Sequence, residues 1–351
     1  MICYADGTLV LARGIDWEEA TATANTAVAC AISSIWKLDL RVASQKTECM
    51  FVYDRSARVP PRSSIMIESA RVEVTPGIKY LGLHQDGQWD FTSHFERLGP
   101  KLGRVAAALC SLLANIGGPD NRVRRLYSNA VSSYVLYGAP VWAGETRAKR
   151  RIVAILHGAQ RLMATRLIKA YRTVLHAAVT ALAGIIPAEL LARLYAKTYN
   201  RVAELRRRED DHLLTARDVQ RIRDSARRGA LWRWQRSLEA LNTPGIRTIA
   251  ITLRDIVGPC LLQWVGRAHG GLSYHMTQVL TGHGCFGRYL CRIGKERTAQ
   301  CRHCAASEDS AKHMLQECPA WTQERGVLTT MVGQDLRLPS IVPKMLESRE
   351  A

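Results

Sequence analysis

No stretch of this sequence approaches the ~18 consecutive apolar residues of a membrane span. The opening residues MICYADGTLV carry no basic n-region. Neither a membrane partner nor a secretory signal is therefore expected. Cysteine is too sparse for a disulfide scaffold. There are ten in 351 residues, six of them in the last hundred, so a reducing, intracellular setting is expected. Internal repeats and low-complexity tracts are missing. Lysine is scarce beside arginine, 10 against 39. Acidic residues nearly vanish between positions 101 and 175, where 2 face 13 basic ones.

What is present fits a globular chain of two or three domains. Apolar residues make up 47% and charged residues 23%, enough to bury a sizeable core. The net charge is +18. Residues 1–100 are slightly acidic, at −2, whereas 101–175 alone carry +11. The guanidinium fork binds phosphate oxygens bidentately and stacks on bases, so a blocky arginine excess points to a polyanion.

Periodicity divides the chain into three parts. Residues 1–90 read as mixed α/β. Ile2–Tyr4 and Thr8–Ala12 form strands around Ala5-Asp6-Gly7, with Gly7 at the turn position that tolerates positive φ. Asp16 and Glu19 form a capping box before a helix, with Ile15 as hydrophobic staple. Apolar residues from Trp17 to Leu38 recur every three or four positions. Strand-like runs follow at Val42–Tyr53, Ala70–Thr75 and Ile78–Leu83. Residues 91–241 carry helical periodicity broken near 117–119, 138–140 and 184–187. Asn242 to Gly245 reads as a linker, and 242–351 is mixed.

Tyr4-Ala5-Asp6-Gly7-Thr8 on a hairpin differs by one residue from the Tyr-Ala-Asp-Asp-Thr box of reverse transcriptases. Downstream, Val42–Glu48 resembles the lysine-bearing palm motif and Ile78–Leu83 the primer-grip hairpin, with His94 after it. Ser133–Trp142, Ala170–Val174, Leu182–Pro187 and Leu280–Phe286 resemble the thumb region, in matching order and spacing. The chain thus resembles, over essentially its full length, the C-terminal part of the second-open-reading-frame Pol polyprotein of arthropod non-LTR (LINE-like) retrotransposons, in the type-1 element group.

The resemblance implies an α/β palm remnant (1–90), a mostly helical, basic thumb and connector (91–241) and a C-terminal region (242–351) with a small zinc-binding element at about 285–325. The whole is mixed and helix-dominated. It implies RNA-directed DNA polymerase (nucleotidyltransferase) ancestry, a magnesium ligand at Asp6, a phosphate or pyrophosphate contact at Lys46, RNA and DNA as partners, and a nuclear setting. It also implies departures. The family's fingers, an earlier catalytic aspartate and an endonuclease precede the box, whereas Tyr4 stands three residues after Met1. Gly7 replaces the second aspartate, and one carboxylate does not hold two dications. The expectation is a truncated reverse transcriptase, inactive alone, that retains nucleic-acid binding. A non-catalytic binding module and an unstable pseudogene product are the alternatives.

Cys301-x2-Cys304-x8-His313-x4-Cys318 supplies two thiolates on a knuckle followed by His and Cys, four soft ligands for a closed, structural zinc site. His303 and Cys291 are substitute ligands in the same reading. Candidate phosphate contacts are Arg122, Arg124, Arg125, Arg147, Lys149, Arg150, Arg151 and Arg172, with tyrosines between them. Arg206–Arg208 is followed by Glu209, Asp210 and Asp211 and reads as a neutralised face. His283, between glycines, serves either RNA or a structural hydrogen bond.

Overall fold

The alternating segments of the first ninety residues form three separate two-stranded hairpins in the computed structural model. Described are residues 1–5, 7–54, 58–147, 149–208, 214–240, 253–267 and 271–347. The chain divides into two units, Met1–Arg97 and Leu98–Ala351.

In the first unit, β1 (Ile2–Tyr4) pairs antiparallel with β2 (Gly7–Leu9), Tyr4 opposite Gly7. Asp6 lies outside the described residues. The positive φ of this turn falls on Ala5, at 51°, not on Gly7, so Gly7 is a strand residue, contrary to expectation. Helix α1 (Trp17–Trp36) starts at the expected cap, Asp16 accepting from the Glu19 amide. Glu19 reaches back to the Ile15 amide at 2.7 Å. Ile15 is 95% exposed, so the expected staple does not form.

The expected strand over Val42–Tyr53 is corrected. A single 3₁₀ turn spans Ser44–Lys46, Cys49 forms an isolated β-bridge with Val74, and the Tyr53 amide donates to Gly87 O at 2.8 Å. β3 (Ser64–Ile67) pairs with β4 (Ala70–Glu73), and β5 (Gly77–Tyr80) with β6 (Leu83–Asp86). Sequence periodicity missed β3 and β6, each only four residues long. The buried cluster here is small, Ile32, Ile65 and Ile67, beside an apolar cavity of about 770 Å³ between α1 and the strands.

The second unit is helical among its described residues; helix is expected over 91–241, whereas 242–351, expected to be mixed, forms helices too. Its elements are α2 (Thr92–Ser111), α3 (Asn121–Val135), α4 (Ala139–Trp142), α5 (Arg150–Leu167), α6 (His176–Ala183), α7 (Ala188–Arg208), α8 (Ala216–Glu239), α9 (Leu261–Gly266), α10 (Tyr274–Thr281), α11 (Gly287–Arg292), α12 (Ala311–Gln316), α13 (Thr322–Val332) and α14 (Leu338–Glu347). No single described helix is long and apolar enough to cross a membrane. The expected linker at 242–245 lies outside the described residues. The helical region and the C-terminal region share one core, so they are not separate domains. Leu167, Leu182, Trp234, Val257, Trp264, Leu280 and Val342 pack in a single cluster.

Helix α6 is the centre of that core. Six of its residues, Ala178 to Ala183, are buried. Gly184 ends it in the left-handed region at φ 64°, where a glycine avoids the Cβ penalty. Its last carbonyls are met by side chains: Leu182 by Trp264 Nε1 at 3.1 Å and Arg267 at 3.5 Å, Ala183 by Arg125 at 3.2 Å. Cations and N–H donors at a helix C-terminus satisfy the orphan carbonyls and the dipole together.

Candidate metal centre and nucleic-acid interface

The four predicted ligands converge. The donor atoms of Cys301, Cys304, His313 and Cys318 all lie within 4.8 Å of one another. The chain builds this from two turns. In the first, Cys301 donates to Ala306 O at 2.8 Å and accepts from the Ala305 amide at 3.0 Å. Ala305 takes a left-handed φ of 59° to close the knuckle. In the second, Ser310 caps α12 and holds the His313 amide. The Cys318 amide returns to His313 O at 2.8 Å, bringing the fourth thiol beneath the imidazole.

The pair distances suit a tetrahedral ion. Cys301 Sγ and Cys318 Sγ are 4.0 Å apart, and Cys304 Sγ is 3.2 Å from His313 Nε2. Metal bonds of about 2.3 Å to sulfur and 2.0 Å to nitrogen imply donor separations of about 3.5–3.8 Å. Glu317 Oε2 lies 3.5 Å from His313 Nδ1, which leaves Nε2 as the ligand nitrogen. Burial disfavours the Cys301 thiolate, but the amides of His303 and Cys304 and the side chains of Cys304 and His313 bring its pKa down to about 7. Burial and the neighbouring thiols Cys304 and Cys301 push Cys318 up. A bound dication would stabilise all three as thiolates. Four protein donors leave no open position, so the centre is suited to fastening the fold and not to hydrolysis.

The substitute ligands fall elsewhere. His303 stacks edge-on against Trp321, with centroids 5.3 Å apart, and Cys291 Sγ faces Arg297 O at 3.8 Å. Sequence reasoning missed the supporting groups. Buried Asp309 accepts from the Gly287 amide at 2.8 Å and ties the knuckle to α11. A Cβ on Gly287 would meet Ala299 O at 2.9 Å. Ser310 and Glu317 were legible as a cap three residues before His313 and a carboxylate four after it.

The predicted phosphate contacts separate into different roles. Arg124 is fully buried. It donates to Pro119 O at 2.8 Å, to Arg166 O at 2.6 Å and to Ala114 O. It is a structural strut, and its assignment to nucleic acid is withdrawn. Arg125 is exposed but caps α6. Lys149 is half-buried and held 2.9 Å from Glu145. Arg122, Arg150, Arg151 and Arg172 are exposed. The side chains of Arg147 and Arg208 are not described, and residues 209–213 lie outside the described residues. Arg124 ties the start of α3 to the end of α5. Arg122 therefore sits near the C-terminal end of α5, and Arg150 and Arg151 at its other end, about 27 Å away for 18 residues.

Lys46 ends the 3₁₀ turn and is exposed. Buried His283 is structural. Its Nδ1 meets Thr173 Oγ1 at 2.9 Å and its Nε2 accepts from Arg292 at 2.9 Å. Burial, then Arg292, lowers its pKa to about 4. Trp142 is a core residue whose Nε1 meets Tyr137 O at 2.9 Å. The Tyr171 hydroxyl is 2.8 Å from that of Tyr274.

No family model matches the chain, and no solved structure matches it significantly. Curated proteins do. A retrovirus-related Pol polyprotein from the type-1 retrotransposable element R1 4 of Nasonia vitripennis is 24% identical over 99% of this chain and 91% of its own length. A protein of type-1 element R1DM of Drosophila melanogaster is 26% identical over 92% of this chain but 31% of its own length. The Pol polyprotein from element R1 of Bradysia coprophila is 25% identical over 81% of this chain and 28% of its own. The chain thus spans about three-tenths of the two latter relatives. The knuckle, the helical unit and these alignments agree with the resemblance drawn from the motifs, and the chain is a homologue of the R1-type non-LTR retrotransposon Pol polyproteins of insects.

Proposed function

We propose that this protein is a nucleic-acid-binding segment of a retrotransposon Pol, built from a basic helical unit and a structural zinc element, and that it does not polymerise DNA by itself. The observation that carries this reading is the segregation of charge at the unit boundary. Residues 1–97 hold 10 basic and 12 acidic side chains, and residues 98–351 hold 39 and 19. The excess of +20 is thus confined to the helical unit, the arrangement expected of a surface that meets phosphates. Arg122, Arg150, Arg151 and Arg172 are the exposed contacts in this reading. Cys301, Cys304, His313 and Cys318 would hold zinc, which supplies structure and no chemistry on the substrate. Gly7 in β2 removes one of two carboxylates that a two-metal polymerase site needs.

A gel shift tests the binding. At 50 mM salt the full chain should retain a labelled RNA–DNA hybrid. Magnesium, primer–template and nucleotides should give no extension. A hybrid left free at micromolar protein overturns the binding reading, and extension abolished by Asp6→Ala overturns the inactivity.

A further inference from the structure

Helices α7 and α8 lie side by side on a small apolar floor of Leu194, Ala226 and Ala230. Above it runs a cleft of about 740 Å³. Five cations line it: Arg193, Lys197 and Arg201 from α7, Arg221 and Arg233 from α8, with Glu204 as the single carboxylate among the described residues. The α7 residues recur every four positions, so one helix face aims all three at the cleft. Its other polar walls are Asn200 and Ser225, each able to donate or accept a hydrogen bond.

Among the described residues, one carboxylate lies beside the five cations of the cleft. Glu204 is engaged by Arg201 at 2.9 Å. Arg221 is held by Asp218 at the rim. Arg193 Nε donates to Thr146 Oγ1 at 3.2 Å. Lys197 is exposed and has no carboxylate partner among the described residues. Arg233 Nε is buried without a hydrogen-bond partner. A buried guanidinium N–H with no acceptor is rare in folded proteins. The Arg233 side chain lines a cleft in which, among the described residues, five cations face one carboxylate.

We infer that the α7–α8 cleft is a second nucleic-acid site, one that grips the phosphodiester backbone of a single strand. Phosphate oxygens are anionic acceptors, which matches a lining of five cations and one carboxylate among the described residues. From Arg193 to Arg201 the cations extend about 12 Å along the helix, enough for more than one consecutive phosphate. Packed helices about 10 Å apart admit a strand between their cationic rims but not the body of a duplex. Contacts of this kind position a strand without reading its bases. The inference rests on the proposed nucleic-acid binding and adds where a strand sits, on residues distinct from those assigned to the hybrid.

Fluorescence anisotropy of a 5′-labelled oligouridylate RNA 20-mer with the full chain tests it. The cleft triple Lys197→Gln, Arg221→Gln, Arg233→Gln is compared with Arg206→Gln, Arg223→Gln, Arg227→Gln, an equal charge loss at exposed positions outside the cleft. The cleft triple should weaken binding tenfold or more at 100 mM salt. It should also lower the slope of log Kd against log salt by about 2, since each lost single-strand contact removes about 0.7. The other triple should lose less than threefold. Equal losses overturn the cleft while leaving nucleic-acid binding intact; no binding by the unsubstituted chain removes both. If the cleft triple does not fold, Lys197→Glu alone, at an exposed position, should still cost at least fivefold, and an unchanged affinity overturns the inference.

Discussion

Arg122, Arg124 and Arg125 look alike in the sequence and have three different fates. The difference is phase. Arg124 shares the buried stripe of α3 with Ser128, Val131 and Val135, at steps of four, seven and eleven residues. That stripe faces the core, so the guanidinium is spent on three carbonyls. Its environment also lowers its pKa, by burial first and then by Arg166. Replacing Arg124 with Met should strand those carbonyls and destabilise the helical unit by on the order of 3 kcal/mol. Arg122→Gln should leave stability within about 0.5 kcal/mol. Urea unfolding of both variants checks this, and equal stabilities would restore Arg124 to the surface. The stripe was legible in the sequence; the pull of charge-counting obscured it.

The stacked imidazoles of His157 and His176, 3.8 Å between centroids, give a second prediction at this scale. His176 meets Gln160 Oε1 at 3.0 Å, and the same oxygen accepts from the Ala188 amide at 3.1 Å. Gln160 thereby joins α5, α6 and the start of α7. Burial, then His157, lowers the His176 pKa to about 3, against the attraction of Glu189. An unfolded histidine takes up its proton near pH 6.5. Below that pH the unfolded chain binds more protons than the folded one. Stability is therefore full above about pH 6.5 and declines on acidification, by up to about 1.4 kcal/mol per pH unit for this residue. Thermal melts at pH 7 and pH 5 should differ, and His176→Gln should narrow the difference. A gap of the same size in the variant contradicts this account.

At the scale of elements, the Cys3His cluster was the most legible feature, because its four residues are local and metal chemistry would fix their spacing. The helices from α2 to α8 were legible for a similar reason, as 3.6-residue periodicity survives burial. The errors lie where tertiary contacts decide. Val42–Tyr53 has strand composition, yet it forms no strand and makes one isolated bridge, from Cys49 to Val74. The left-handed residues Ala5 and Ala305 carry no glycine to announce them. The C-terminal region reads as a separate domain until Trp264 and Val342 are found in the core of α6. Arg325 also donates to the Cys318 carbonyl, linking α13 to the metal site. Cys318→Ser should therefore release the metal and loosen the chain from about 285 onward, since structural zinc contributes on the order of 10 kcal/mol to such elements. Metal analysis under reducing conditions should give one zinc per chain for the parent protein and none for the variant. A parent protein without zinc contradicts the centre.

The molecule as a whole is two units of opposite electrostatic character, −2 and +20. Repulsion within such an excess destabilises the compact state unless something neutralises it. The Cys3His cluster, if it holds zinc as proposed, would fasten the C-terminal part of the helical unit and leave no open coordination position. The function proposed at this scale is association with a polyanion, and its signature would be counterion release. The slope of log Kd against log salt for the full chain and an RNA–DNA hybrid tests that claim most directly. Several phosphate contacts require roughly a hundredfold loss of affinity between 50 and 200 mM salt, and this account expects at least that. A loss of less than tenfold over the same range would contradict it.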